Sequence, residues 1–218
     1  MLKSFIGTVG LMVVGATFAH AAEMHALVRD HKGKFVADAV VLAVAVDPRT
    51  ALHARAPADA VDQVDKQFVP YVKPIFVGST MRFPNSDNIR HQVYSFSPAK
   101  KFELPLYSGT DATPIVFDKP GVVILGCNIH DWMIGYIYVS ETPFFAKTGP
   151  LGTAVISDLP AGEYRVRIWH PSMDHAEETT SQQVTLTADA PANAEWQIGL
   201  KPSIRVPRMS GSASPAYP

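Results

Sequence analysis

Val122-Val123-Ile124-Leu125-Gly126-Cys127-Asn128-Ile129-His130-Asp131-Trp132-Met133 is the stretch on which the reading of this chain turns. The short apolar, β-branched run predicts a buried strand over Val122–Leu125. The loop that leaves the strand carries a thiol, an imidazole and a thioether within seven positions: Cys127, His130 and Met133. Soft sulfur donors beside imidazole select copper that moves between Cu(I) and Cu(II), and electron transfer favours a trigonal set of one Cys and two His with a weak axial Met. The loop supplies only one of the two histidines. The candidate for the other is His91, which follows Phe83-Pro84-Asn85-Ser86-Asp87-Asn88-Ile89-Arg90, where one strand ends, a polar turn intervenes and another strand begins.

The rest of the chain narrows the setting. Charged residues make up 18% of the 218 and the formal net charge is −1, which excludes a disordered polyelectrolyte. It also removes an electrostatic case for wholesale nucleic-acid binding. Cys127 is the single cysteine, so an intrachain disulfide framework is excluded. Met1-Leu2-Lys3, the apolar run from Phe5 to Ala19, and Ala19-His20-Ala21 together predict an export signal cleaved after Ala21. That run falls short of the ~20 apolar residues of a comfortable membrane span. The expectation is therefore a periplasmic protein with no stable membrane insertion after cleavage. An exported chain with one thiol has three ways to keep it: buried and inert, cross-linked to another chain, or held as a thiolate by a metal.

Beyond residue 21 the pattern is all-β. Val40-Val41-Leu42-Ala43-Val44-Ala45-Val46 is a β-branched run stopped by Asp47-Pro48, and Asp47 to Ala60 reads as an Ala/Pro/Asp-rich loop. Strands are predicted at 75–77, 80–83, 91–96, 102–107, 115–117, 122–125 and 135–139, then at 154–156, 164–169, 183–186 and 194–198. Pro, Gly, Asn and Ser punctuate them at the short spacing of a sandwich or barrel. In Tyr164-Arg165-Val166-Arg167-Ile168-Trp169 arginine alternates with apolar residues, as on a strand with one solvated face. From Lys201 the Pro/Ser/Gly-rich chain reads as a tail.

Around the candidate ligands the sequence resembles the cupredoxin, or plastocyanin-like blue copper, family. Phe68-Val69-Pro70, Gly78, Phe83-Pro84-Asn85, Asp87 and His91 look like its first half; Pro120-Gly121, Cys127, His130, Met133, Gly135, Ile137 and Val139 look like its second. The resemblance covers residues 61–141 and implies a Greek-key β-sandwich holding one copper ion. It implies His91, Cys127 and His130 as equatorial ligands and Met133 as the axial one. Two residues separate His130 from Met133, where plastocyanin-like members usually have four; the shorter spacing is similar to that of binuclear copper domains, which carry two loop cysteines against the one here. A mononuclear site is the expectation.

The flanks resemble a carboxypeptidase regulatory-like, transthyretin-like sandwich. Its motifs are Asp30-His31-Lys32-Gly33 with Asp38-Ala39-Val40-Val41, and Gly152 with Ile156-Ser157-Asp158-Leu159-Pro160-Ala161-Gly162-Glu163-Tyr164. Residues 24–47 and 142–200 are expected to build one small sandwich that the copper domain, 61–141, interrupts. The alternative is that 24–47 extend the copper domain's own sheet. The whole arrangement is similar to exported proteins of the methylamine-utilisation type.

The function implied is a one-electron carrier rather than an enzyme, because a saturated Cys–His–His–Met shell leaves no open position for a substrate. By resemblance electrons would pass through His130, with Trp132 and Ile134, and with Phe144 and Phe145, forming the apolar patch around it. A periplasmic dehydrogenase and a c-type cytochrome are the partners the resemblance suggests. Two alternatives stay open: a copper-binding or delivery protein, and a red-copper-like site in which Met133 does not ligate. The plainer reading is a buried structural Cys beside a His. His25, His31 and His53 read as solvated, and His170, Met173 and His175 as a surface turn rather than a second, labile metal site. Asp87 and Asp131 read as loop ties or as partners of the ligands.

Overall fold

The computed structural model describes residues 22–50, 56–110 and 112–202. The predicted export signal at 1–21, His53 and residues 203–218 of the predicted tail lie outside the described residues. The chain opens with strands β1 (Ala22–Asp30) and β2 (Val40–Ala45). Its middle supplies β3 (Ala58–Ala60), β4 (Asp62–Val64), β5 (Gln67–Val69), β6 (Val72–Phe76), β7 (Thr80–Arg82), β8 (His91–Ser97), β9 (Lys100–Tyr107), β10 (Ile115–Val116), β11 (Gly121–Gly126) and β12 (Ile134–Ser140). It closes with β13 (Phe145–Lys147), β14 (Thr153–Leu159), β15 (Gly162–Trp169), β16 (Gln182–Leu186) and β17 (Ala192–Ile198). Among the described residues the only helical pieces are 3-10 turns at Pro48–Thr50 and Glu177–Thr180. The fold is all-β.

Two bodies result. One packs the sheet β14-β1-β17 against the sheet β13-β2-β15-β16, around a core that includes Met24, Val28, Val41, Tyr164, Ile168 and Trp196. The other packs β6-β12-β11-β8-β9 with β10-β7-β3, and the β4–β5 hairpin joins it. Phe68, Met81, Phe83, Val93, Phe117, Leu125 and Ile137 fill that second core, and Cys127 and Met133 belong to it. The first and last strands of the chain thus share one body, and the middle of the chain forms the other. β1 and β2 pair with β13, β14, β15 and β17, and not with the sheet that carries Cys127.

The sequence of β2 shows why the bodies touch. Val40, Val41, Leu42 and Ala43 are all fully buried. A strand with one wet face alternates, whereas a strand covered on both faces reads as a continuous apolar run. Val41 and Ala43 face the first core. Val40 and Leu42 face the other way, onto Val72 and Tyr138 of the second body, with Tyr71, Val122, Tyr136, Phe145 and Trp169 around them. A polar pin lies beside this seam. Arg167 on β15 binds both Glu141 and Glu177, and Tyr138 on β12 donates to Glu177 Oε1 at 2.8 Å. Burial and the Glu177 carboxylate beside it push the Tyr138 phenol well above its ordinary range.

The loop expected over Asp47–Ala60 carries more order than its composition predicts. Ala58-Asp59-Ala60 has poor strand propensity, yet it forms β3 by parallel pairing with β7. Tertiary pairing here overrides a weak local preference. β1 shows the opposite case, with Ala22, Met24, Ala26 and Val28 buried and Glu23, His25, Leu27 and Arg29 half-buried between them.

Thr148 fastens the returning chain to its start. Its Oγ1 donates to Val36 O at 2.7 Å and accepts from Ala39 N–H at 2.9 Å, all out of solvent. Thr148→Val keeps the shape and strands both backbone groups, each worth about 1–3 kcal/mol when buried unpaired. We expect a clear fall in the urea midpoint of unfolding; an unchanged midpoint would show that neither group depends on the hydroxyl.

Candidate metal centre

His91 opens β8 and Cys127 follows the last residue of β11, its neighbour in the sheet. The two strands register at Gly126 opposite Tyr94. The Tyr94 ring lies over Gly126, where a Cβ would stand 2.7 Å from its Cζ and would displace it. A ladder irregularity between His91 and Val93 lies at the start of β8. After Cys127 the chain turns tightly, and Met133 N–H donates to His130 O at 2.9 Å. The turn brings His130 back over the strand end, its ring centroid 5.0 Å from that of His91.

One nitrogen each from His91 and His130 and the Cys127 sulfur lie within 4.8 Å of one another. Each histidine Nδ1 is 3.8 Å from the sulfur, which is long for a hydrogen bond and suited to a shared metal. With metal–sulfur and metal–nitrogen lengths of about 2.3 and 2.0 Å, the values zinc takes at these donors, a 3.8 Å separation corresponds to an angle near ~120° at the ion. That is the trigonal arrangement of one Cys and two His. His91, Cys127 and His130 are 0%, 3% and 8% exposed, so the protein rather than water surrounds the donors. Met133 is buried, shares the second core with Cys127 and lines the same cleft. The residues present therefore fit a copper ion: three donors at trigonal spacing, with Met133 buried in the same core as the Cys127 sulfur.

The donors polarise one another. Burial alone would push the Cys127 thiol up, but His91 and the backbone N–H groups of Gln92 and Ile129 outweigh it and hold the thiol below its ordinary range. Burial likewise opposes a charged His91, yet the Cys127 sulfur and the Asp87 carboxylate raise its affinity for a proton.

Asp87 is the ligand-side partner the sequence suggested, its Oδ2 lying 2.6 Å from His91 Nε2. Burial would raise its pKa, but the Lys66 N–H, His91 and the Asp65 N–H keep it below the usual carboxylate range. The 84–90 turn is tied by Asn85, whose side-chain amide donates to Ile89 O at 2.9 Å and Tyr107 O at 2.8 Å. Gln63 reinforces it, donating to the Tyr107 hydroxyl at 2.7 Å. Burial pushes that hydroxyl up to about 12. Asn85 and Gln63 act by holding the turn; Gln63, on β4, lies more than twenty positions before Asn85 and carries no mark of that role in sequence.

The expected surface patch divides. The Trp132 ring packs 5.2 Å from His130, and Ile129 beside it is 48% exposed. Ile134 lines, with Cys127, Met133, Tyr94, Phe96 and Ile124, a cleft of about 490 Å³ that reaches the donor set from the other side. Phe144 and Phe145 are not near His130. Phe144 is buried in the first core and Phe145 packs at the seam, because β13 pairs with β2. Among the other histidines, His25 pairs with Glu23 at 2.7 Å and His175 with Asp174 at 2.5 Å. His170 Nδ1 accepts from Ser172 N–H at 3.1 Å, and burial depresses its pKa. Among the described residues the 91/127/130 set is the one cluster of three such donors.

No family model matches the chain, and no curated protein matches it. Several solved structures are similar to part of it. A purple cupredoxin from Nitrosopumilus maritimus is 26% identical, over 38% of this chain and 99% of its own, with a TM-score of 0.34. A copper-containing nitrite reductase from Thermus scotoductus SA-01 is 31% identical over 45% of this chain, at a TM-score of 0.36; only 27% of that enzyme is covered. An oxidised amicyanin mutant is 20% identical over 38% of this chain and 82% of its own, with a TM-score of 0.35.

A metal bound by the folded chain alone stabilises it by mass action, about 2.7 kcal/mol at a free concentration of one hundred dissociation constants. Zn(II), which has no redox chemistry, is expected to raise the melting temperature of the wild type and to leave that of Cys127→Ala unmoved. Equal shifts in both proteins would place the binding elsewhere.

Proposed function

We propose that this chain is a mononuclear copper protein of the cupredoxin type that carries single electrons. The observation behind the proposal is the buried His91–Cys127–His130 set, with both imidazole Nδ1 atoms 3.8 Å from one sulfur. Copper bound by this set supplies one-electron exchange between its two common oxidation states. The chain's own residues do the rest. β8 and β11 hold His91 and Cys127 at fixed separation, which keeps rearrangement between oxidation states small. All three donors are buried, with the Cys127 side of the set at the wall of the cleft. Met133, 1% exposed and in the same core as Cys127, is the residue that would add a thioether to the set.

Burial supports a carrier over a delivery protein, since release of the ion would require a reachable donor. His130 is the most exposed of the ligands at 8%, with the half-buried Trp132 against it and Ile129 outside. That edge is where a partner would make contact, over the small area typical of transient redox encounters. The proposal includes export to the periplasm by the segment ending at Ala21. It also includes exchange with a dehydrogenase and a c-type cytochrome, and a regulatory-like sandwich formed by residues 24–47 and 142–200.

The deciding measurement is the visible absorption and electron paramagnetic resonance spectrum of the protein loaded with Cu(II). An intense thiolate-to-copper band is expected in the wild type and is lost in Cys127→Ser. Met133→Leu is expected to shift the band without abolishing it. Weak d–d absorption alone in the wild type would show the thiolate unbound and would remove the electron-carrier reading.

A further inference from the structure

His91 is anchored from outside its own sheet, and the anchor leads to a hairpin that the donor set does not touch. Asp65 and Lys66, the two residues between β4 and β5, both have left-handed backbone, with φ of 52° and 58°. Two such residues in succession make the hairpin turn that Asn and Gly fill with least strain. Asp and Lys occupy it here. Successive backbone N–H groups in a turn converge into a concavity that binds anions, and this concavity is filled. Asp65 N–H donates to Asp87 Oδ1 at 2.7 Å and Lys66 N–H to Asp87 Oδ2 at 2.9 Å. The His91 ring approaches the same Oδ2 through Nε2 at 2.6 Å. An ionised carboxylate only accepts, so a neutral His91 must carry its proton on Nε2 and present the Nδ1 lone pair. Nδ1 is the atom that faces the Cys127 sulfur.

We infer that the β4–β5 hairpin is a positioning element of the metal centre. Its turn amides seat the Asp87 carboxylate, and Asp87 fixes the tautomer and ring orientation of His91 before any metal arrives. The tie crosses the loop, since Asp87 lies between the hairpin and the ligand and is 13% exposed. The β8–β11 pairing alone would leave the ring free to turn about its side-chain bonds; the hairpin removes that freedom. The inference deepens the copper reading, on which its metal measurement rests, while the tie itself belongs to the metal-free chain.

The test uses the full chain and the variant Asp87→Asn, which keeps the size and replaces one acceptor oxygen by a donor. In the metal-free protein, ¹⁵N spectra of the neutral His91 imidazole are expected to show Nε2–H in the wild type and a mixture in the variant. Amide exchange at Asp65 and Lys66 is expected to accelerate. Cu(II) affinity is expected to fall about 10–100-fold, the usual loss on removing the partner of a metal-bound histidine. With the carboxylate gone the ring is a weaker donor to Cu(II), and the reduction potential is expected to rise. Asp87→Ser replaces this variant if Asp87→Asn does not fold. Ser86→Ala removes the neighbouring loop–hairpin bond, Ser86 Oγ to Asp62 Oδ2 at 2.7 Å, without touching His91. It is expected to leave tautomer and affinity in place. An unchanged tautomer or affinity in Asp87→Asn, or the same losses in Ser86→Ala, would overturn the inference. If the wild type takes up no Cu(II), the copper reading fails by itself, and the metal-free spectra still decide the tie.

Discussion

The pairing of β8 with β11 sets the separation of two donors that stand 36 positions apart in the chain. Sheet geometry holds neighbouring strands about 4.8 Å apart, so residues at the same end of adjacent strands are delivered to hydrogen-bonding or metal-sharing distance without any further device. At Gly126 the Tyr94 ring occupies the volume a side chain would take. The Cys127–Met133 turn then needs only three residues to return an imidazole to the same point. The convergence of the candidate donors is thus a consequence of strand register, with the loop and hairpin refining the direction of each side chain.

A second constraint acts on the opposite side of the same sheet. The face of β12 turned away from the second core carries Tyr136 and Tyr138, which pack with Trp169, Val40 and Leu42 of the other body. Because β2 is covered on both faces, its Val40 and Leu42 cannot leave this seam without exposing apolar surface, at about 25 cal/mol per Å². The Arg167–Glu177–Tyr138 pin adds direction to a contact that apolar burial alone would leave free to slide. The two bodies consequently meet through an interior rather than across a flexible tether, and the sheet holding His91 and Cys127 has one half of its outer face braced.

Much of this was legible beforehand because the signals are local. The β-branched run at Val40 and the Arg/apolar alternation at Tyr164–Trp169 mark strands by period and composition. Cys127, His130 and Met133 lie within one loop, and His91 is singled out by the strand that restarts there after a polar turn. The misplacement of Phe144 and Phe145 came from proximity in sequence to the loop. Only strand pairing reveals that β13 belongs with β2, on the far side of the seam. β3 was invisible for a related reason: Ala58-Asp59-Ala60 becomes a strand through β7 alone.

The sequence by itself determined the all-β class, the donor types and the loop that carries three of them, since composition and spacing are properties of the chain. Which nitrogen of His91 faces the sulfur, which of the two suggested aspartates meets the other nitrogen, and which turn holds that carboxylate were decided by the tertiary structure. Asp87 and His91 are only four positions apart, but Asp65 and Lys66 lie more than twenty positions before Asp87, and nothing in that spacing requires them to meet. Side-chain orientation depends on what packs against a residue from elsewhere in the chain, and that is settled only when the sheets close.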